Sequence, residues 1–322
     1  MRHHNARRRR GLLACAREIR LDGPTLAITG ANSAVGTALL RHIAGREELR
    51  AVAAVRRREA LAGLPYSPRI ARRLLDYGRP ARVRDVVAGA DCIVHLAGVL
   101  IESGRTSYQS GNVDTTRVLV EAALNAGVGR IVFVSSLGAN ARSPNGYYRS
   151  KREAENLVAA AGVTAAIIRT PLLLGPDTAG GRALLRDAAR RSVRVLGGGA
   201  HVLRPLDVDD LCRAILHCCA DPAGGVRTYE LVGPTALSQR DLLLRTAGLL
   251  GNDLAVRTLP IGLAKLGALC AGLVRSGGLT PAVIDVITAS EMVRHNGDKD
   301  LGIELTPLAD TLARLVEASR TT

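Results

Sequence analysis

The 322-residue chain has no tryptophan, one phenylalanine and only 2% aromatic residues. A nucleic-acid surface that interleaves cations with stacking rings is therefore excluded, despite a net charge of +15. Hydrophobic residues still make up 47%, so the core must be Leu, Val, Ile and Ala, which suits a parallel sheet buried on both faces. Lysine is also scarce: Lys151, Lys265 and Lys299 are the three among 44 basic residues. A lysine at a motif position is thus unusually informative. The arginine surplus offers a basic surface to acidic lipid or to a protein partner. The six cysteines, Cys15, Cys92, Cys212, Cys218, Cys219 and Cys270, show no C-x-x-C spacing and read as reduced thiols of a cytoplasmic protein. Long apolar runs are missing as well. The stretch 261–274 contains Lys265 and lies between Pro260 and Arg275. It is short for a membrane span and reads as a packed helix, with membrane or quinone contact left open. The basic stretch 1–23 lacks the apolar core of a secretory signal and reads as a tail or short surface helix able to touch anionic membrane. The expected location is cytoplasmic, with peripheral contact at the inner face of a membrane left open.

What is present alternates. Residues 25–44 run from an apolar strand through a small-residue turn into a helix; further strands are expected at 49–57, 70–76, 91–98, 130–139 and 164–175, with helices at 113–127 and from Tyr147 to about Ala161. Such alternation predicts an α/β fold, a doubly wound parallel (Rossmann-like) sheet over 24–200, followed by a smaller, partly helical lobe over 201–322. In that lobe 206–221 and 238–251 read as helices, the first capped by Asp209 and Asp210, the second by Ser238. His201 and the neighbouring aspartates have no metal-ligand spacing, so no metal site is expected.

The turn "TGANSAVG" sets Gly30 and Gly36 six residues apart between strand and helix. A dinucleotide pyrophosphate needs a backbone it can approach and free N–H groups at a helix start. Gly30, Asn32, Ser33, Ala34, Val35 and Gly36 are the predicted contacts, with Ser33 standing where a middle glycine is usual. An NAD site places a carboxylate about 20 residues further on; here "VRRRE" stands there instead. Arg56, with Arg57 beside it, suits a 2′-phosphate, so NADP(H) is favoured and NAD(H) remains an alternative.

Tyr147 and Lys151 are four residues apart at a helix start and share a face. An ammonium beside a phenol favours the phenolate and permits proton exchange with a carbonyl or hydroxyl oxygen. The hydroxyls of Ser135 and Ser136 end the preceding strand, within reach of the same oxygen. His95 reads as packed beside the cofactor, and Tyr148 as packing on another helix face.

Gly30 to Gly36, "HLAG", the helix led by Asn112, "VSSLGA", Tyr147-x-x-x-Lys151 and "RTPLLLGP" follow the order found in extended short-chain dehydrogenases/reductases. The chain resembles this superfamily of nucleotide-sugar epimerases and dehydratases over about residues 24–235. The resemblance implies that Tyr147 is the acid/base, that Lys151 binds ribose and tunes the phenol, and that Ser136 is the third member with Ser135 as the fallback. It further implies adenine contact at Asp76, cofactor lining at Ala97 and Gly98, and Pro171 near the nicotinamide. Ser136 precedes Tyr147 by only 11 residues, a shorter spacing than in the sugar epimerases. That spacing, Ser33 and "LGIELTPLADTLARLV" are more similar to an atypical branch, that of the nucleotide-binding accessory subunit of respiratory complex I, whose members often hold NADPH without turnover.

Two readings follow. One is an oxidoreductase or epimerase acting on a carbonyl or hydroxyl of a small molecule. The other is a non-catalytic NADPH-holding protein that stabilises or regulates a protein partner. Substrate identity and oligomeric state have no sequence signature here.

Overall fold

The computed structural model describes residues 23–272 and 280–320. Cys15, Arg275 and the basic tail through residue 22 lie outside the described residues.

The first half builds strands and helices in turn: β1 (Thr25–Thr29), α1 (Ala34–Ala44), β2 (Arg50–Val55), β3 (Ile70–Leu74), α2 (Pro80–Val87), β4 (Cys92–His95), α3 (Thr115–Asn125), β5 (Arg130–Ser136), α4 (Gly146–Ala159) and β6 (Thr164–Thr170). A π-helical turn, Gln109–Asp114, leads into α3. The second half holds β7 (Leu173–Leu174), α5 (Ala179–Ala188), β8 (Ser192–Leu196), β9 (Val202–Leu203), β10 (Leu206–Asp207), α6 (Val208–Ala220), β11 (Val226–Glu230), β12 (Leu237–Ser238), α7 (Gln239–Leu249), β13 (Ala255–Leu259), α8 (Ile261–Gly272), α9 (Pro281–Ile287) and α10 (Leu308–Arg320).

Seven strands pair in the order β11-β6-β5-β4-β1-β2-β3, all in parallel. The order reverses between β1 and β4, and ligands of such sheets bind outside the carboxyl ends at that switch point. Alternate strand residues supply two cores, as a sheet covered on both faces requires. Leu26, Ile28, Val94 and Ile168 meet Leu39, Leu40 and Ile43 of α1 and Leu211 and Ile215 of α6. Ala27, Ile93, Phe133 and Ile167 meet α2, α3 and α4 through Val83, Leu119 and Val158. The doubly wound architecture read from the sequence is what the chain adopts.

A third core joins α5, α7 and α10 with β8, through Leu184, Leu242, Leu243, Leu312 and Val195. Two elements beyond residue 200 return to the large sheet: α6 covers one face, and β11 is its seventh strand. Asp207, not Asp209 or Asp210, caps α6, accepting from the Asp209 N–H at 2.9 Å. The expected caps stand two and three residues too far on, inside the first turn of α6, and serve elsewhere. Asp209 pairs with Arg314 of α10, and Asp210 accepts from the Thr306 N–H and hydroxyl. Ser238 does cap α7, accepting from the Asp241 N–H.

One buried ion cluster ties α4 to the sheet edge. Glu155 is 1% exposed. Its carboxylate accepts from Arg169 Nε at 2.9 Å and Nη2 at 2.8 Å, and from Arg152 Nη1 at 3.0 Å, while Arg169 Nη1 reaches Glu230 of β11. Removing one partner of such a cluster strands a charge out of water, which costs far more than losing a surface pair. Glu155→Ala should lower the unfolding free energy by about 3 kcal/mol in urea titrations. A loss below about 1 kcal/mol would show that the cluster behaves as an exposed one.

Candidate functional site

The carboxyl end of β1 comes close to the loop after β4. Gly30 has φ +69°, a left-handed conformation that a side chain resists. A Cβ there would lie 2.9 Å from the Ala97 nitrogen, and one at Gly36 would lie 2.6 Å from the Ala31 oxygen. Both glycines are thus fixed by close backbone approach. Ser33 is extended and caps α1, accepting the Gly36 N–H at 3.0 Å. That accounts for the absent middle glycine: the position needs no unusual backbone, and the hydroxyl settles one helix-end donor. No acidic residue occupies the first turn of α1, so its N-terminus keeps its attraction for anions. Asn32, Ala34 and Val35 complete this turn. Arg56 and Arg57 follow the last residue of β2, and neither has a carboxylate partner among the described residues. These features form a cradle that fits a dinucleotide, its pyrophosphate at the loop and its ribose at the β2 end. Asp76 follows β3, where Oδ1 accepts from the Gly78 N–H at 3.0 Å and Oδ2 lies 3.6 Å from Arg79.

Ser136, Tyr147 and Lys151 converge at the carboxyl end of β5. Asn145 caps α4, accepting from the Tyr147 N–H at 3.0 Å. Ser136 acts on the Tyr147 phenol, lowering its pKa against the effect of burial. Ser135, the fallback, instead buries a hydroxyl without a partner and pairs in register with Arg169. Lys151 is buried. Its ammonium donates to the Val134 carbonyl at 2.8 Å and stands 4.3 Å from the centre of the Phe133 ring. A Cβ at Gly98 would lie 4.0 Å from this Nζ, so the β4 loop closes over the lysine. Pro171 follows β6, and the Leu172 N–H after it donates to Glu291 Oε1 at 2.6 Å.

The electrostatics differ from what four-residue spacing implies. Burial pushes the Tyr147 phenol up to about 12, with the Ser136 hydrogen bond acting the other way and Tyr148 and Tyr108 adding to the rise. Burial brings Lys151 from 10.5 down to about 8, opposed by Glu155. Desolvation outweighs any phenol–ammonium attraction: the lysine proton is loosened and the tyrosine proton is held. His95 is fully buried between Thr29 Oγ1 at 2.7 Å and Thr116 Oγ1 at 3.0 Å. Burial lowers its pKa to about 3, so it is a neutral core residue. Tyr148 lies against Gly138, where a Cβ would be 2.2 Å from its ring.

Three contributors were not legible as such. Asn112, known only as the head of a helix, accepts from the Val99 N–H at 2.7 Å and donates to Ser150 Oγ at 2.9 Å. It clamps the β4 loop to α4 from within a π-helical turn, a feature frequent at functional sites. The Tyr108 ring centre lies 5.9 Å from that of Tyr147. Glu291 bridges the Leu172 and Arg204 N–H groups from far along the chain. Only the "GNVDTT" helix start offered a signal for the first; the other two had none.

A family model described as "NAD(P)H-binding" matches residues 30–195. The ceramide reductase of Caulobacter vibrioides is 29% identical over 60% of this chain and 61% of its own. The mitochondrial NADH dehydrogenase [ubiquinone] 1 alpha subcomplex subunit 9 of Arabidopsis thaliana is 28% identical over 50% of this chain and 40% of its own. The chain therefore spans less than two thirds of the length of these curated relatives. Among solved structures, MoeE5 in complex with UDP-glucose and NAD superposes with a TM-score of 0.72 at 22% identity, covering 93% of this chain and 99% of that one. That likeness speaks for the fold.

The buried ammonium gives a stability test. Lys151 binds its proton more weakly folded (about 8) than unfolded (10.5). Between those pH values the unfolded chain holds more protons, so the Lys151 contribution to stability rises with pH. The cost is fully present below pH 8 and fades toward pH 10.5. Compared with Lys151→Met in the cofactor-free protein, the wild type should gain up to about 3 kcal/mol across that window. Taking the difference cancels the buried phenols and thiols, which titrate in the opposite sense. A flat difference in denaturant titrations would show that the ammonium is solvated.

Proposed function

The chain belongs to the NAD(P)H-binding family, and from that premise we propose that it is an NADP(H)-dependent oxidoreductase interconverting a carbonyl and a hydroxyl on a lipid-soluble small molecule. The observation that carries the reading is the convergence of Ser136 and Tyr147 with the Lys151 ammonium buried one turn on, at the carboxyl end of the sheet beside the switch point. When bound, the nicotinamide supplies or takes up the hydride. Ser136 and Tyr147 hold the substrate oxygen between them. Tyr147 keeps its proton well above neutral pH and donates it to that oxygen in the reducing direction. Lys151 holds the cofactor ribose and stabilises negative charge on the phenol once its proton has left. Arg56 and Arg57, without carboxylate partners, favour a 2′-phosphate and hence NADPH. A relative named ceramide reductase supports a lipid as substrate class.

A second reading is favoured by one observation: the Lys151 ammonium is engaged by the Val134 carbonyl and the phenol is held near 12. Such a pair holds a cofactor without turning it over. It accords with the similarity to a complex I subunit and would make a protein partner the object of the function.

Tyr147→Phe should lower kcat on a responding carbonyl substrate by about a hundredfold or more, with NADPH affinity unchanged. Full activity in that variant would defeat the catalytic reading. NADPH that co-purifies and stays unoxidised across a panel of lipid aldehydes and ketones would favour the second reading. Replacing Arg56 and Arg57 together by Ala should raise the NADPH Kd by about tenfold or more while moving the NADH Kd by no more than about twofold. Equal changes for both cofactors would remove the 2′-phosphate assignment.

A further inference from the structure

Helix α8 carries an apolar face that no described residue covers. Leu263, Leu266 and Leu269 are 59%, 58% and 58% exposed. At 100° per residue they fall within one arc, together with Gly262 and Gly267. The opposite arc, Ile261, Ala264, Lys265 and Ala268, faces the protein. Lys265 Nζ pairs with Asp285 Oδ1 of α9 at 2.5 Å, and Ile261 lies against Gly197 after β8. The helix is therefore held by one face, and its leucines are offered outward. Three leucines side by side on a helix surface are more than the scattered exposure of an ordinary surface. Among the described residues, no helix is long and apolar enough to cross a membrane.

The strand leading into α8 supplies the charge. In the parallel β8–β13 pair, Arg194 and Arg257 are partners in register, and both are exposed, while Val193 and Val195 turn inward. Neither arginine has a carboxylate partner among the described residues. Only three residues separate Arg257 from the start of α8. A leucine face beside unpaired guanidiniums, on a chain of net charge +15, is poorly suited to a second copy of itself and well suited to an anionic lipid surface.

The same helix is coupled to the chemical site. Its partner α9 accepts a hydrogen bond at the Ala282 carbonyl from Asn145 Nδ2 at 2.8 Å. Asn145 is the cap of α4, next but one to Tyr147. Burial and Glu291 raise the Tyr148 phenol, and Asp285 of α9 adds to that rise.

We propose that α8 is an interfacial docking helix: Leu263, Leu266 and Leu269 enter the headgroup boundary of an anionic phospholipid membrane, Arg194 and Arg257 engage the headgroups, and α9 holds the Tyr147 helix at that surface. The docking gives the lipid-soluble substrate of the proposed function a route into the site, and it rests on that reading only for its purpose. The test is flotation of the full chain with vesicles of phosphatidylcholine alone or with one third phosphatidylglycerol, with NADPH binding measured on the same samples. The wild type should float with the anionic vesicles, and less so as salt is raised. Leu263→Glu with Leu266→Glu should reduce flotation about tenfold or more while leaving NADPH affinity unchanged. Arg194→Ala with Arg257→Ala should weaken flotation about tenfold and flatten its salt dependence. A wild type that floats with neither vesicle would overturn the proposal, as would a leucine variant that floats as well as wild type. A wild-type dimer that the leucine variant turns into a monomer, without flotation, would assign the face to a second copy instead. Because NADPH binding is read separately, loss of docking is distinguishable from failure of the nucleotide site.

Discussion

The approach of Gly30 to the Ala97 backbone is the constraint on which the rest of the molecule depends. Two strands adjacent in the sheet but remote in sequence must end their loops within van der Waals reach of each other. Only a residue without a side chain, in a left-handed conformation, permits this. The approach fixes where α1 begins, so Ser33 meets the Gly36 N–H and the helix N-terminus faces the cleft. It also fixes the β4 loop, which Asn112 then fastens to α4. Ser136, Tyr147 and Lys151 stand at the wall that results.

Within that wall, burial decides protonation. Sequence spacing brings the phenol and the ammonium onto one helix face, and Coulomb attraction alone would lower the one and raise the other. The pocket is dry enough to reverse both directions. Tyr147 is left as a firm proton holder and Lys151 as a cation kept in place by a carbonyl and a ring face. A negatively charged dinucleotide beside Lys151 would restore much of the missing stabilisation of its charge. Cofactor affinity and the state of the lysine are therefore linked.

Much of this was legible from the sequence because it is local. Gly30, Gly36, Ser33, Tyr147 and Lys151 sit in short motifs whose geometry follows from a strand-turn-helix unit. The alternation of strands and helices predicts a doubly wound parallel sheet, though not the order of its strands. What was not legible depends on residues that meet only after folding. Glu291 reaches Leu172 across more than a hundred residues. β11 joins the sheet only after β7, α5, β8, β9, β10 and α6 have intervened. Asp207, read as part of the 206–221 helix, is itself the cap, and its other oxygen is bonded by Thr311 and Arg314 of α10. The depth of burial at Tyr147, which sets its proton affinity, is likewise a property of the packed loops and not of the four-residue spacing.

The closing of α10 onto α6 bears on how the chain is made. A ribosome delivers residues in order, and the first six strands of the large sheet are complete by Thr170. The seventh waits for Glu230, and until then β6 presents an open edge. Asp207 leaves the ribosome about a hundred residues before Thr311 and Arg314, the groups that bond and neutralise it, while Asp210, paired with Arg213 three residues on, waits as long for Thr306. During that interval the nascent molecule carries an unfinished sheet edge and, at Asp207, a carboxylate that must stay wet. Helix α10 is thus what converts α6 from a provisional cover into a sealed one, and the nucleotide module reaches its final rigidity only once α10 has been made.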